Sequence, residues 1–289
     1  MTMRILCLLM SLFISSSLLA EKSEKLPIKF ALKFGMVKGK MSILDKFKLV
    51  KELGYDGIEV NAPSGSREEF KAASEATGLP IHGVVCSTHW KLLLSHPEAA
   101  TRAKGVAGFE QAIRDAHFYG ASSVLLVPGK VNKDTTYEEA WKRSIPEIHK
   151  ALSLAKELNI QIGLENVWND FLKTPEGTLK YINELDSPLV GSYFDIGNTV
   201  RYNDPSTWPS VLGNKIFKLD VKEYKRQPEG GNVWKGFKVK IGAGDNDWPA
   251  VCRELKKVNY SGWATAEVGG GDKKRLAEIL TNMRKAFSH

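Results

Sequence analysis

Along the chain, segments with apolar residues three and four positions apart alternate with short β-rich apolar runs, and a turn residue marks most passages between them. The passages read Glu52-Leu53-Gly54-Tyr55-Asp56-Gly57, Ala76-Thr77-Gly78-Leu79-Pro80, Phe118-Tyr119-Gly120-Ala121 and Glu157-Leu158-Asn159-Ile160. The same order returns at Asp186-Ser187-Pro188, Leu212-Gly213-Asn214 and Val258-Asn259-Tyr260. Gly or Asn after a helix accepts the left-handed conformation that ends it, and the apolar run that follows is strand-like. With an opening strand over 28–36, eight strands are expected, beginning near residues 28, 57, 80, 122, 160, 189, 215 and 262. Helix starts are marked by Ser42 ahead of Ile43, Leu44, Phe47 and Val50, and by Thr174-Pro175-Glu176, Asp204-Pro205 and Asp247-Trp248-Pro249. Strands alternating with helices predict a parallel sheet, and eight such units in about 260 residues predict a closed (β/α)8 TIM barrel. No linker or shift of composition divides residues 21–289, so a single α/β domain is expected.

The first twenty residues break this pattern. One positive charge in residues 1–4, an apolar stretch over 5–14 and small residues over 15–20 read as an N-terminal signal peptide, which implies a secreted or periplasmic protein. An uncleaved anchor is the alternative, although the stretch is short for a span. After cleavage no stable membrane insertion is expected. A hydrophobic fraction of 43% excludes a disordered chain, and no run of 18 apolar residues supports a multi-pass membrane protein. The formal charge of +8 falls to +7 without Arg4, but the lysines interleave with Glu, as at Lys48, Lys51 and Glu52, so no nucleic-acid partner is expected. Only Cys86 and Cys252 lie beyond the leader, too few for a disulfide scaffold.

Chemistry in such a barrel belongs at the C-terminal ends of the strands. Four of the expected strands finish in an acid: Ile162-Gly163-Leu164-Glu165, Ser192-Tyr193-Phe194-Asp195, Phe217-Lys218-Leu219-Asp220 and Ala264-Thr265-Ala266-Glu267. Alternation along a strand turns Ile160, Ile162 and Leu164 toward the helices and Gln161, Gly163 and Glu165 inward. In the same way Phe217, Leu219 and Val221 face outward, leaving Lys218, Asp220 and Lys222 inside. Four carboxylates converging on a narrow mouth repel one another unless a cation neutralises them or some stay protonated. All-oxygen ligands favour Mn2+ or Mg2+. The competing reading makes each acid a helix cap or a solvated charge at a strand end.

With Gly54-Tyr55-Asp56-Gly57-Ile58-Glu59, Leu94-Ser95-His96-Pro97-Glu98 with Arg102, Leu164-Glu165-Asn166, Phe194-Asp195-Ile196-Gly197-Asn198 and Gly242-Ala243-Gly244-Asp245-Asn246-Asp247-Trp248 in this order, the sequence resembles the sugar phosphate isomerase/epimerase group of xylose-isomerase-like barrels, from about residue 30 to 287. The resemblance implies one divalent metal, Mn2+ first, with Mg2+, Co2+ or Zn2+ as alternatives. The ligands it implies are Glu165, Asp195, Asp220 and Glu267. Asp220 stands where the family has a histidine: the usual His-x-Lys-Asp reads Asp220-Val221-Lys222-Glu223 here. The implied activity is isomerisation or epimerisation of a sugar, with Glu165 and Glu267 as the acid/base pair that removes and returns a proton next to a carbonyl through an enediolate.

Further residues admit two readings each. His89 is a substrate donor or a loop histidine, and Asn198 contacts sugar hydroxyls or caps a loop. Lys222 neutralises the acids or takes part in catalysis. Arg201 binds an anionic group or forms a surface pair. Trp90 and Trp168 stack on a sugar or pack in the core. Glu59 reads as a structural barrel residue. Export favours a non-phosphorylated sugar or glycoside as substrate. A 3-keto-glycoside lyase using the same proton abstraction and a non-catalytic sugar-binding barrel are the alternatives; a homo-oligomer is compatible with either. A histidine-rich multi-zinc endonuclease site is not supported, since none of the six histidines falls at the ends of strands five to eight.

Overall fold

The strand lengths and the residues that end each helix generate a closed ring. The computed structural model describes residues 25–227 and 230–289, so the signal-peptide reading of residues 1–20 lies outside the described residues. The strands are β1 (Ile28–Lys33), β2 (Gly57–Ala62), β3 (Ile81–Cys86), β4 (Ser123–Leu126), β5 (Gln161–Glu165), β6 (Val190–Asp195), β7 (Ile216–Val221) and β8 (Gly262–Ala266). Each pairs in parallel with the next, and β8 pairs with β1. Every expected strand start falls within one residue of the observed one.

Around the ring run α1 (Ile43–Glu52), α2 (Arg67–Thr77), α3 (Ala99–Tyr119), α4 (Tyr137–Glu157), α5 (Pro175–Glu184), the single turn α6 (Ile196–Thr199), α7 (Thr207–Leu212), α8 (Trp248–Lys257) and α9 (Lys273–Ala286). Ser42 accepts the Asp45 N–H, and Thr174 accepts the Gly177 N–H beside the first-turn Pro175. Asp247 does the same for the Ala250 N–H. The Asp204-Pro205 signal behaves differently. Asp204 accepts the Ser206 N–H in a local turn, and α7 begins only at Thr207. Asn159 and Asn259 take the left-handed conformation anticipated at the helix ends, with φ of 55° and 53°. No described helix is long and apolar enough to cross a membrane.

The apolar core lies between the strands and the helices, where Leu32, Ile58, Ile162, Leu164, Phe194 and Leu219 are fully buried. The inside of the barrel is polar instead. Lys218 donates to the His82 carbonyl and meets His82 Nδ1 at 3.1 Å, while His82 Nε2 lies 3.1 Å from Thr265 Oγ1 and its ring stacks on Trp263. Tyr193 donates to Glu59 Oε1 at 2.6 Å, so Glu59 is the hydrogen-bonded barrel residue expected of it. Gly163 makes room for the Tyr193 ring: a Cβ there would stand 2.9 Å from Tyr193 Cδ2. Burial brings the Lys218 ammonium down to about 7, because its lost hydration outweighs the pull of Glu59 and Asp220.

Candidate active site

The inward alternation that fills the barrel delivers four carboxylates to its C-terminal mouth. Glu165 ends β5, Asp195 ends β6, Asp220 is the penultimate residue of β7, and Glu267 follows β8, held by its N–H to the Val221 carbonyl. One oxygen from each lies within 4.8 Å of the other three. Glu165, Asp195 and Asp220 are buried, whereas the Glu267 side chain is 33% exposed and faces the cavity.

Two ammonium groups stand inside this ring of oxygens. Lys222 Nζ is 2.7 Å from Asp195, 3.2 Å from Glu267 and 3.8 Å from Glu165. Lys33 Nζ is 2.9 Å from Asp220, 2.9 Å from Glu267 and 3.5 Å from Glu59. Lys222 is thus paired with three of the four carboxylates. Lys33 is new, and alternation could have found it. Phe30 packs outward on Phe287, which turns Ala31 and Lys33 inward at the end of β1. It faces Asp220, so that acid has a positive charge beside it.

The electrostatics separate the four acids. Burial raises the Glu165 carboxyl to about 8, helped by the negative charge of Glu267 and opposed by the two lysines. Glu267 goes the other way: burial would raise it, but Lys222 and Lys33 outweigh burial and hold it below the usual carboxylate range. Asp220 is raised well above its ordinary value by burial, against the pull of Lys33, and Asp195 is raised by burial against Lys222. Both ammonium groups are raised, because the surrounding carboxylates outweigh their own desolvation.

The donor set suits a hard cation. Beyond the Lys33 and Lys222 ammonium groups, Glu165 Oε1, Asp195 Oδ2, Glu267 Oε2 and both Asp220 oxygens have no donor other than one another among the described residues, so the two lysines alone balance their charge. Each carboxylate oxygen has a second lone pair beyond its ammonium contact, and clustered carboxylate oxygens are what Mg2+ or Mn2+ takes as ligands.

The surroundings hold these side chains still. Asn166 donates to the Asp195 carbonyl and accepts the Asp195 N–H, at 2.9 and 2.8 Å, pinning β5 to β6. Asn198 donates its N–H to Asp195 Oδ1 and its amide to the Asn166 carbonyl, and it also lines the cavity. His89 is buried, and its Nδ1 accepts the Val127 N–H at 3.1 Å. Burial lowers its pKa to about 3, with Lys33 adding to the effect, so the ring is neutral and its proton sits on Nε2, which has no partner among the described residues. Glu223 accepts from the N–H groups of Gly242 and Asn246 and from the Trp248 indole, tying down the long connection after β7.

The cavity above the carboxylates has a volume of about 470 Å³, with Glu165, Asn198, Lys222 and Glu267 at its polar end. Trp90 and Trp168 line it too, joined by Trp234 and Phe237 from the connection after β7. These last two escape sequence reasoning because they sit in a 3-10 turn, where neither helix nor strand periodicity says which way a side chain points. Arg201 is exposed, with its guanidinium 4.6 Å from the Trp168 ring centroid, and is not among the residues lining the cavity. The structure thus gathers Glu165, Asp195, Asp220, Glu267 and Lys222 into one site, sets Trp90, Trp168 and Asn198 around it, and leaves Arg201 outside.

Comparison with known proteins agrees with this architecture. A putative L-ribulose-5-phosphate 3-epimerase of Haemophilus influenzae is 24% identical over 233 residues, 75% of this chain and 80% of that protein. An uncharacterised protein of Methanocaldococcus jannaschii is 26% identical over 167 residues, so the match spans about half of each chain, 54% in both cases. Among solved structures, the 3-keto-D-glucoside 4-epimerase YcjR of E. coli superposes with a TM-score of 0.73 at 16% identity, over 91% of this chain and 100% of that one. The D-allulose 3-epimerase of Methylomonas sp., solved with D-allulose, superposes at 0.72 and 17%, over 91% and 98%. The IolI protein, solved with a bound zinc atom, reaches 0.77 at 16%, over 90% and 98%. The family profile of xylose isomerase-like TIM barrels matches residues 47–286, and the chain belongs to that family.

Proposed function

We propose that this protein is a divalent-cation-dependent isomerase or epimerase that moves a proton next to the carbonyl of a non-phosphorylated sugar. The observation that carries the proposal is the pair Glu165 and Glu267: both line one cavity, beside two further carboxylates that gather with theirs within 4.8 Å. Two carboxyl groups facing one cavity are suited to the roles of acid and base. Glu267, ionised and facing the cavity, takes the proton from carbon. Glu165, the other carboxyl group lining the cavity, supplies a proton to the other face, and the centre is inverted when the proton returns there. Lys33 and Lys222 keep positive charge beside the developing enediolate. Glu165, Asp195, Asp220 and Glu267 would hold the cation, which would polarise the carbonyl as a Lewis acid and lower the barrier to proton removal.

The relatives support the sugar chemistry, since three of them are named as epimerases of a ribulose phosphate, a keto-glucoside and allulose. Among the described residues lining the cavity, the only cation is Lys222, already engaged by three carboxylates, which favours a neutral sugar over a phosphate ester. The leader-like N-terminus supports export, where free or glycosidically linked sugars are the accessible substrates.

The test is turnover of a panel of ketoses and 3-keto-glycosides with Mn2+, with chelator as control and products resolved by NMR. Products that keep every atom, formed only with the cation, are expected. Release of the aglycone would replace epimerisation by elimination. Equal turnover in chelator would overturn the cation dependence.

A further inference from the structure

The cavity has a second end that the proton transfer does not use. Trp90 and Trp234 are 54% and 60% exposed, and among the described residues only Tyr202, at 36%, joins them as an exposed large hydrophobic. Both line the same cavity as the carboxylates, where Val167, Trp168, Phe237 and Val268 complete an apolar wall. Scattered exposed apolar residues are ordinary, but two exposed tryptophans on one pocket mark a binding surface.

This wall is already built. The Trp168 indole donates to the Asn198 carbonyl at 2.8 Å, which ties the aromatic wall to the loop carrying Asp195. Phe237 and Trp234 pack on the Trp168 ring at centroid distances of 4.6 and 4.9 Å, and the Arg201 guanidinium lies over it. The Trp234 backbone N–H donates to Asn232 Oδ1, and Glu223 anchors the same connection to Trp248. The backbone of this wall and the packed Trp168 and Phe237 rings are thus set before any ligand arrives, which lowers the entropic cost of stacking.

Size and polarity then identify the occupant. A cavity of about 150 Å³ accommodates benzene, and this one, at about 470 Å³, is some three times larger. One sugar ring at the carboxylates leaves the tryptophans facing water. A charged distal group finds no free cation among the lining residues. We propose that the aromatic wall is a subsite for a second ring, an uncharged aglycone glycosidically attached to the sugar that reacts at Glu165 and Glu267. The substrate class is therefore a neutral glycoside. This rests on the sugar chemistry proposed above and adds the specificity that the family resemblance does not supply.

The test measures binding without turnover. Isothermal titration compares phenyl and methyl β-D-glucopyranoside, each also as its 3-oxo form, with phenol as a control. The phenyl glycoside is expected to bind about 10-fold more tightly than the methyl glycoside of the same sugar, the increment of one well-placed aromatic contact. In Trp234→Ala and in Trp90→Ala that ratio falls toward one, and Trp234→Phe restores most of it. Equal affinities for phenyl and methyl glycosides, an unchanged ratio in both alanine variants, or phenol binding as tightly as the phenyl glycoside would each overturn the subsite. Tight, tryptophan-dependent binding without any proton exchange would leave the subsite standing and overturn the proposed reaction. Exchange on a free ketose with no phenyl preference would do the reverse.

Discussion

Replacing Lys33 by methionine removes one of two positive charges from a ring of acids while keeping most of its volume. Its Nζ stands 2.9 Å from both Asp220 and Glu267, and its side chain is 15% exposed. At an effective dielectric constant of about 20, each such contact is worth roughly 6 kcal/mol before the ammonium's own desolvation is subtracted. Breaking one side of a buried pair leaves a net loss of about 3–5 kcal/mol, because the partner charge stays buried. Asp220 already leans toward its protonated form, so it sheds its charge and holds the loss near the lower end. With a urea slope of about 2–3 kcal/mol per molar, the midpoint of unfolding in chelator falls by roughly 1–1.5 M. Lys33→Met/Asp220→Asn should recover half or more of this, since the double change removes both charges together. Mn2+ should raise the midpoint of Lys33→Met more than that of the wild type, because the cation takes over the lost neutralisation. A midpoint within about 0.3 M of the wild type, with no gain in the double variant, would refute the account of Lys33 as the counter-charge of Asp220.

Glu267→Gln and Glu165→Gln should each lower turnover about 10²–10⁴-fold while substrate affinity changes far less, the signature of proton-transfer groups in steady-state kinetics; a fall confined to KM would contradict these roles. Mn2+ at about one hundred times its dissociation constant should stabilise the fold by roughly 2.7 kcal/mol and raise Tm by about 5–10 °C, and Asp195→Asn should abolish the shift seen by calorimetry. Lys218 has a folded pKa near 7, below its unfolded value, so between about pH 7 and 10 the unfolded chain binds the extra proton and stability rises with pH. In Lys218→Met that component of the slope, up to about 1.4 kcal/mol per pH unit, should vanish from urea titrations over this window. An unchanged slope would mean that Lys218 keeps its charge inside the barrel.

The barrel was legible because its determinants are local. Asn159, Gly120 and Asn259 announce helix ends, and the two-residue alternation after them assigns each strand residue to a face. The acids were legible for the same reason, as the last inward residues of β5, β6 and β7 and the residue after β8. Lys33 obeys the same rule as the last inward residue of β1, although a lysine there carries no sign of its own that it meets acids across the barrel. The opposite proton affinities of Glu165 and Glu267 were not legible, because they depend on which ammonium each meets across the barrel and on how far each is exposed. Trp234 and Phe237 were hidden in irregular backbone after β7, where no period fixes direction. Arg201 stacks on Trp168 instead of entering the cavity, a placement decided by a loop contact.

The most direct measurement of the central claim is deuterium incorporation at the carbon next to the sugar carbonyl, followed by NMR in D2O with Mn2+. The account predicts exchange in the wild type, its suppression by chelator, and its loss in both Glu165→Gln and Glu267→Gln. Exchange that survives both substitutions, or its absence with a sugar shown to bind at the carboxylate end of the cavity, would contradict proton abstraction by this pair.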